Sequence, residues 1–432
     1  MSSEKMASTM NEEGTTTLLP KLRFPEFREA EGWQRVTLSS IADPVRERAV
    51  QSEKDEVLSL SAEHGLVLQG DFFGKKVAGD NTERYLKIAC NDFVYNDRTT
   101  KTSTYGTIKR LSKYESGIVS PIYKCFRFKA RENSVFWEWY FESGNHDATL
   151  RSLVNEGARA GRFNISISQF LSTIAFRPQI AEQQKIADCL SSLDELIAAQ
   201  AQKVEELKTH KKGLMQHLFP RQGESRPRLR FPEFQDTGEW ECQTLADVAQ
   251  ISSGTTPLRT NLEFFAGGTI PWVKTTDLNN SFITETEEYI TPKARARINP
   301  AWSILVAMYG GFKQIGRTGC LRVPAATNQA LSVLVLNQNR ALPVYVLAWL
   351  NAKVEDWKRI ASSSRKDPNI TGGDVAKFPI ALPSPAEQQH IASCLSSLDS
   401  LITTETQKLE AFKTHKKGMM QQLFPSMGGD EI

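Results

Sequence analysis

A repeat with a period of about 206 residues constrains this 432-residue chain more than any other feature. Pro20-Lys21-Leu22-Arg23-Phe24-Pro25-Glu26-Phe27 returns as Pro227-Arg228-Leu229-Arg230-Phe231-Pro232-Glu233-Phe234, and Trp33, Leu38 and Ile41 are echoed by Trp240, Leu245 and Val248. A longer segment, Pro178 to Pro220, returns as Pro383 to Pro425 with about two thirds of positions identical. Between these copies lie two blocks, about 34–177 and about 241–382, that show almost no similarity to each other. Solenoid units run to about 50 residues, so this period describes a duplicated domain-plus-helix unit instead. A common frame carries two unlike domains.

The longer repeated segment has the pattern of a coiled-coil helix. Ile186, Leu190, Leu193, Ile197, Val204, Leu207, Leu214 and Leu218 follow steps of four and three, with Gln200 and Lys211 filling the seam. The second copy keeps the register through Ile391, Leu395, Leu398, Ile402, Glu405, Leu409, Phe412, Lys416, Met419 and Leu423. A 3.5-residue period held for about five heptads is the coiled-coil signal, and polar seam residues weaken such a pair while fixing its register. Ser384-Pro385-Ala386-Glu387 reads as a capping box with proline at the first helical position. Phe219-Pro220 and Phe424-Pro425 stop the helices. Some 36 residues at 1.5 Å rise make rods of roughly 54 Å. A full domain precedes each helix and only 221–226 links the first helix to the second half. The expected arrangement is therefore an antiparallel pair of helices and an approximate two-fold repeat, rather than each helix packing on its own domain.

Composition narrows the function classes. Hydrophobic content of 40% and charged content of 24% are ordinary for a globular protein. No run approaches the ~18 apolar residues of a membrane span, and Met1–Leu19 lacks the order of a signal peptide. That stretch reads as a disordered leader, and the setting as cytoplasmic. The six cysteines are scattered without a C-x-x-C pair, which points to neither zinc nor disulfides. Cys189 and Cys394 flank seam leucines as small hydrophobes, and His210 and His415 read as exposed polar residues on the helices. No G-x-x-x-x-G-K-(S/T) phosphate loop occurs. Phe264-Phe265-Ala266-Gly267-Gly268, Asn299-Pro300-Ala301-Trp302 and Asp367-Pro368-Asn369-Ile370 miss the cofactor-loop and catalytic patterns of amino-methyltransferases. No catalytic or metal site is expected. A net charge of +3 permits nucleic-acid binding without arguing for it.

Two variable blocks separated by two repeated long helices resemble the plan of type I restriction–modification specificity subunits. The resemblance rests on the helix entry Ala-Glu-Gln-Gln-(Lys/His)-Ile-Ala and the exit Lys-Lys-Gly-(Leu/Met)-Met-Gln-(His/Gln)-Leu-Phe-Pro in both halves. In the second block it adds Ser253-Gly254-Thr255-Thr256-Pro257, Ile270 to Leu278 and Thr327-Asn328-Gln329-Ala330. In the first it adds Asn91 to Asn96 and Gly117 to Tyr123. It implies an α+β protein with two target-recognition domains, 20–177 and 227–382, and two antiparallel spacer helices, 178–220 and 383–425, with a tail at 426–432. It further implies that each domain reads one half of a bipartite asymmetric site on double-stranded DNA. The helices would set the gap and dock two adenine-N6 methyltransferase subunits, joined by two ATP-dependent restriction and translocase subunits. S-adenosylmethionine, ATP and Mg would then belong to those partners, and this chain would be non-catalytic.

Reading bases requires Arg, Lys, Asn or Gln on loops, supported by phosphate contacts. In the first block the candidates are Arg98, Thr99, Lys101 and Tyr105, after a strand-like run, then Arg159 and Arg162 just before Asn164-Ile165-Ser166. In the second block Ser364, Arg365 and Lys366 precede Asn369-Ile370-Thr371 at the same distance from the helix. The rival reading is that Asn-Ile-(Ser/Thr) merely caps the next element, and both can hold together. Lys274 with Thr275, and Lys313, Gln314 and Arg317 beside Gly310-Gly311, complete the set. The strand expectations are Val57–Leu60, Phe93–Tyr95, Gly117–Phe128 and Ile304–Met308, and the helix expectations Ser134–Ser143 and Val344–Val354. Two alternatives remain: a self-contained fragment of a modification enzyme, and a coiled-coil scaffold that binds only proteins.

Overall fold

A computed structural model describes residues 9–10, 16–49, 56–73, 82–100, 103–153, 163–362 and 368–425. The chain forms two compact units, 1–200 with 408–432, and 201–407. Both long helices, Ile180–Leu218 and Pro385–Leu423, are divided between them. Each unit therefore holds one α+β domain, the start of the helix that follows it and the end of the other helix.

In the first unit, Thr16–Leu18, Trp33–Thr37 and Ile174–Arg177 are neighbours in one antiparallel sheet. The disordered stretch expected over Met1–Leu19 is contradicted at its end: Thr16–Leu18 is a strand, and Leu18 pairs with Trp33 and is buried in the core. A second sheet runs Gly65–Leu68, Val57–Ser61, Ser116–Val119, Leu86–Ala89, and a third Ala42–Pro44, Lys124–Phe128, Phe93–Asn96, Thr107–Arg110. The single strand expected over Gly117–Phe128 is broken. Pro121 has no N–H for a ladder, the chain turns with the Tyr123 amide on the Ser120 carbonyl, and the two halves enter different sheets. Helix Ser134–Glu142 starts where the Asn133 side chain accepts the Phe136 amide. It lays Phe136, Trp137, Tyr140 and Phe141 into an aromatic core with Phe93, Phe126, Phe128 and Phe170.

The second unit is built on a five-stranded sheet in the order Ala249–Ser253, Leu331–Leu336, Ile304–Ala307, Thr318–Leu321, Ser281–Ile283. Glu241–Thr244 pairs with Pro379–Leu382 as Trp33–Thr37 pairs with Ile174–Arg177 in the first unit. The helix expected over Val344–Val354 runs from Pro343 to Ala352, breaks at Lys353 and resumes as Val354–Ser362.

One joint recurs in both units. The Arg23 guanidinium, from the repeated opening segment, grips the Glu182 carboxylate near the helix start through Nε at 2.8 Å and Nη2 at 2.7 Å. Both side chains are buried. Its Nη1 and Nη2 also donate to the carbonyls of Ala30 and Glu31. Arg230 and Glu387 repeat this with two contacts of 2.7 Å, and Arg230 donates to the carbonyls of Thr237 and Gly238. The expected capping box at Ser384 is therefore half made: the Glu387 amide donates to Ser384 Oγ, while its carboxylate serves Arg230. The neighbouring glutamines clip the domain to the same helix. Gln183 accepts from the Asn133 amide and donates to Glu132, and Gln388 accepts from the Leu342 amide and donates to the Arg340 carbonyl.

Within each unit the two helix segments run antiparallel. In the second, Lys203 meets Glu405 at 3.1 Å and Lys211 meets Asp399 at 2.5 Å, so numbering rises along one helix as it falls along the other. In the first, Lys416 reaches Asp194, and its ammonium sits 4.0 Å from the Trp139 ring centre. Along the seam Ile186, Leu190, Val204, Ile391, Leu395, Glu405 and Leu409 are buried. Leu193, Ile197, Leu207, Leu398, Ile402 and Phe412 are half-buried. The helix ends act as anchors as well as stops. Phe424 enters the first domain's core against Trp33, Phe136 and Tyr140, and Phe219 enters the second against Tyr345 and Trp349.

Two outcomes follow for stability. Arg230→Met leaves Glu387 buried and uncompensated, with an expected cost of about 3–5 kcal/mol in urea denaturation. Arg230→Met with Glu387→Leu costs far less than the single change; a double variant no more stable than the single one contradicts this account. The second concerns His146, buried in the first core. Thr173 gives its one hydroxyl proton to the Phe170 carbonyl at 2.6 Å, so His146 Nε2 donates to Thr173 Oγ1 at 3.1 Å. Burial pushes the imidazole down to about 3. The unfolded histidine titrates near 6.5, so between those values the unfolded chain holds the extra proton. This contribution is complete above about pH 6.5 and is lost as pH falls toward 3. His146→Gln is expected to remove about 1.4 kcal/mol per pH unit of slope in that window, as read from denaturation midpoints at a series of pH values.

Candidate nucleic-acid interface

Each unit carries a hairpin whose loop meets a second loop. In the first, strands Phe93–Asn96 and Thr107–Arg110 pair, and the chain between them leaves through Asp97. Asp97 is buried, takes Lys124 Nζ at 2.6 Å, and accepts the amides of Phe163 through its carbonyl and Ile165 through its carboxylate. Tyr105 lies parallel to Phe163, their ring centres 6.5 Å apart, and its carbonyl accepts from the Tyr95 hydroxyl. Gly106 has φ +94°, and a Cβ there would stand 2.4 Å from the Asn96 carbonyl. Arg98 and Thr99 are exposed on this loop, with the Thr99 hydroxyl on the Thr104 carbonyl. Lys101, Arg159 and Arg162 lie outside the described residues. Phe163, which directly follows the segment carrying the latter two, is held against the hairpin loop.

In the second unit, strands Ile304–Ala307 and Thr318–Leu321 pair around the loop Met308–Arg317. The Ile370 amide donates to the Met308 carbonyl at 3.0 Å, just as Phe163 and Ile165 donate to Asp97. Ser364, Arg365 and Lys366 lie outside the described residues, but their following segment is therefore fixed beside this loop. Asn-Ile-(Ser/Thr) also caps: Ser166 and Thr371 each make a capping box with Gln169 and Asp374, while Ile165 and Ile370 are buried.

Backbone bonds gather the remaining motifs of this unit on the same edge. The Met308 amide donates to Ala330, the Asn328 amide to Val273, the Thr255 amide to Thr327, and the Gln329 amide to Thr256 Oγ1. Gly254 is required here, since a Cβ would stand 2.2 Å from the Thr327 carbonyl. Thr255, Thr256, Gln329 and Lys313 are exposed, as are Tyr309 and Phe312. Thr275 is half-buried. Lys274 is differently placed from a ready phosphate contact. Its ammonium lies 2.7 Å from Glu288 and 3.3 Å from Glu287, and the hydrogen bond to Glu288 raises its pKa. Glu288, also bound by Arg259, is held below the usual carboxylate range. Arg317 donates to Gln314 Oε1 at 2.8 Å, so these two brace the loop. Arg259, stacked on Phe265 and Trp272, and Lys358, beside Arg317, were not apparent from sequence, because their partners are set by the fold. Among the described residues, no three His, Cys, Asp or Glu side chains cluster as a metal site, and no helix is long and apolar enough to cross a membrane.

Residues 237–414 match the family model of the type I restriction modification DNA specificity domain. Over these residues the chain is similar to the type I restriction–modification specificity subunits. The EcoR124I/EcoR124II specificity subunit of Escherichia coli is 28% identical over 185 residues, 40% of this chain and 44% of that protein. The MjaIX specificity subunit of Methanocaldococcus jannaschii is 27% identical over 179 residues, 40% of each. The chain thus matches less than half the length of these relatives. The fold is similar to that of a chain in a solved type I restriction–modification assembly, at TM-score 0.59 and 18% identity over 91% of this chain and 98% of that one. It is also similar to the type I S subunit from M. genitalium, at TM-score 0.55 and 14% identity over 95% of this chain and 100% of that one.

Gly254→Ala should strain the edge where Thr255, Thr327 and Asn328 meet, at an expected cost of about 1–3 kcal/mol. Hydrogen exchange is the direct measurement: faster exchange confined to the Thr255 and Asn328 amides supports the close-approach role, and unchanged exchange rules it out.

Proposed function

We propose that this chain is a specificity subunit that reads a bipartite, asymmetric sequence in double-stranded DNA and contributes no chemistry of its own. Residues 20–177 and 227–382 act as the two target-recognition domains, each reading one word. The helices of 178–220 and 383–425 set the gap and dock two adenine-N6 methyltransferase subunits, with two ATP-dependent restriction subunits joining them. S-adenosylmethionine, ATP and Mg enter with those partners. The work is done in the cytoplasm, where the DNA is.

The observation that carries this reading is the recurrence of one loop pair in two otherwise unlike domains. In each, a hairpin loop with exposed polar and basic side chains receives the segment leading into Asn-Ile-(Ser/Thr). A merely structural hairpin needs no such repetition of exposed Arg, Lys, Thr and Gln, whereas base readout requires these groups on positioned loops. The proposed contacts are Arg98, Thr99, Lys101, Tyr105, Arg159 and Arg162 in the first domain. In the second they are Thr275, Lys313, Gln314, Arg317, Ser364, Arg365 and Lys366. Lys274 acts instead as a strut between Glu287 and Glu288.

Sequencing methylated adenines in cells that express the chain with its methyltransferase is expected to give one split motif, lost when the chain is removed. A reconstituted complex that shows no preference between that motif and a scrambled duplex defeats the reading and favours a protein-only scaffold. Arg365→Ala should weaken cognate binding by roughly 1–3 kcal/mol if Arg365 reads a guanine, while equal loss on random duplex reassigns it to a phosphate.

A further inference from the structure

A shallow basin of about 490 Å³ opens beside the Met308–Arg317 loop of the second unit. Ile315 and Val354 line its apolar part, Phe312 walls it, and Lys313, Arg317 and Lys358 bring three cations to it. Among the described residues, no carboxylate lines it. Lys313 is exposed and has no acidic partner among the described residues. Among the described residues Lys358 pairs only with Glu355, one turn away on its own helix at 2.7 Å, an interaction worth a few tenths of a kcal/mol that a phosphate readily displaces. Arg317 is held in place by Gln314. Gly310 and Gly311, at φ +111° and +76°, carry the chain through conformations that let the loop project, with Phe312 half exposed at its tip.

The groups here best suited to a base edge are already engaged: Asn280 accepts the Thr318 amide at Oδ1, and the Arg317 fork donates to Gln314. What remains is cationic charge on flexible stems next to an apolar wall, which suits a phosphate oxyanion and is indifferent to sequence. We propose that this basin seats a backbone phosphate of duplex DNA, gripped by Lys313 and Lys358 with Arg317 behind them and the adjoining sugar against Phe312. It fixes the strand's position while the neighbouring edge of Thr255, Thr256 and Gln329 faces the bases. This rests on the reading of the second unit as a DNA-binding domain.

The test uses the full chain in its reconstituted methyltransferase complex, with Lys313→Ala and Lys358→Ala combined, titrated against cognate and scrambled duplexes from 50 to 200 mM salt. Both affinities are expected to fall by the same factor, about tenfold, with the plot of log K against log salt shallower by about one unit. Loss confined to the cognate duplex overturns the proposal by making the lysines base readers, and unchanged affinity and slope overturn it by removing the contact. Saturable ³¹P signal changes with inorganic phosphate on the DNA-free complex, abolished in the double variant, would identify a free-phosphate site and also overturn it. These outcomes are separable from the parent reading, which fails when the wild-type complex does not prefer the cognate duplex at all.

Discussion

Each domain is fixed to its helix by a buried guanidinium–carboxylate pair, and the other features of the unit are arranged around it. Removing both charges from water is expensive, and the pair persists because nearly every polar atom is satisfied. Arg23 spends its fork on Glu182 and its outer donors on the carbonyls of Ala30 and Glu31, so the same residue that binds the helix also folds the turn after the opening segment. Arg230 does this again with Glu387, Thr237 and Gly238. The pair is planar and bidentate, so it sets an angle as well as a distance. An apolar contact would hold the two elements together without orienting them.

The helix seam follows a similar logic. Its apolar positions supply the burial, while Lys203 with Glu405, Lys211 with Asp399, and Lys416 with Asp194 stand where a sliding helix would lose a partner. Ion pairs like these, each with one partner still open to solvent, add modest stability, but they discriminate among registers. Phe219 and Phe424 then commit each helix end to a domain core, so a slip along the seam would also withdraw an aromatic ring from a packed cluster. Register is specified three times over: by apolar period, by charge and by the end anchors.

The frame was legible in the sequence because it is periodic and repeated. Heptad spacing names the seam residues, and two copies of the same segment separate pattern from accident. The variable blocks were legible only in part. Phe93–Tyr95 and Ile304–Met308 show up as apolar runs, and Pro121 marks a break within Gly117 to Phe128, but nothing local tells which sheet each half joins, or that Val57–Ser61 pairs in parallel with Ser116–Val119. Leu18 was invisible as a core residue because it follows a stretch rich in Ser, Thr and Glu, and its pairing with Trp33 is made only by the fold. Arg23 and Glu182 stood inside quoted repeats without a stated role, since two residues far apart in one chain carry no mark of their contact. Lys274 looked like an available cation for the same reason: Glu287 and Glu288 reach it only through the fold.

Under the proposed function a mildly basic chain, of net charge +3, has to bind DNA. Most cations with defined partners in these domains are already neutralised: Lys109 by Glu142, Arg110 by Glu138, Lys124 by Asp97, Arg259 and Lys274 by Glu288. Such pairs shape the scaffold and contribute almost nothing to the field beyond a Debye length. On the proposed reading, the attraction for a polyanion falls on cations such as Lys313, exposed on its loop and without an acidic partner among the described residues. Under that reading, a duplex gripped at few phosphates is bound weakly at random sequence, and preference would come from the Thr, Gln and Arg groups proposed to meet base edges. Low net charge is therefore compatible with sequence reading, because it limits the non-specific background against which that reading is made.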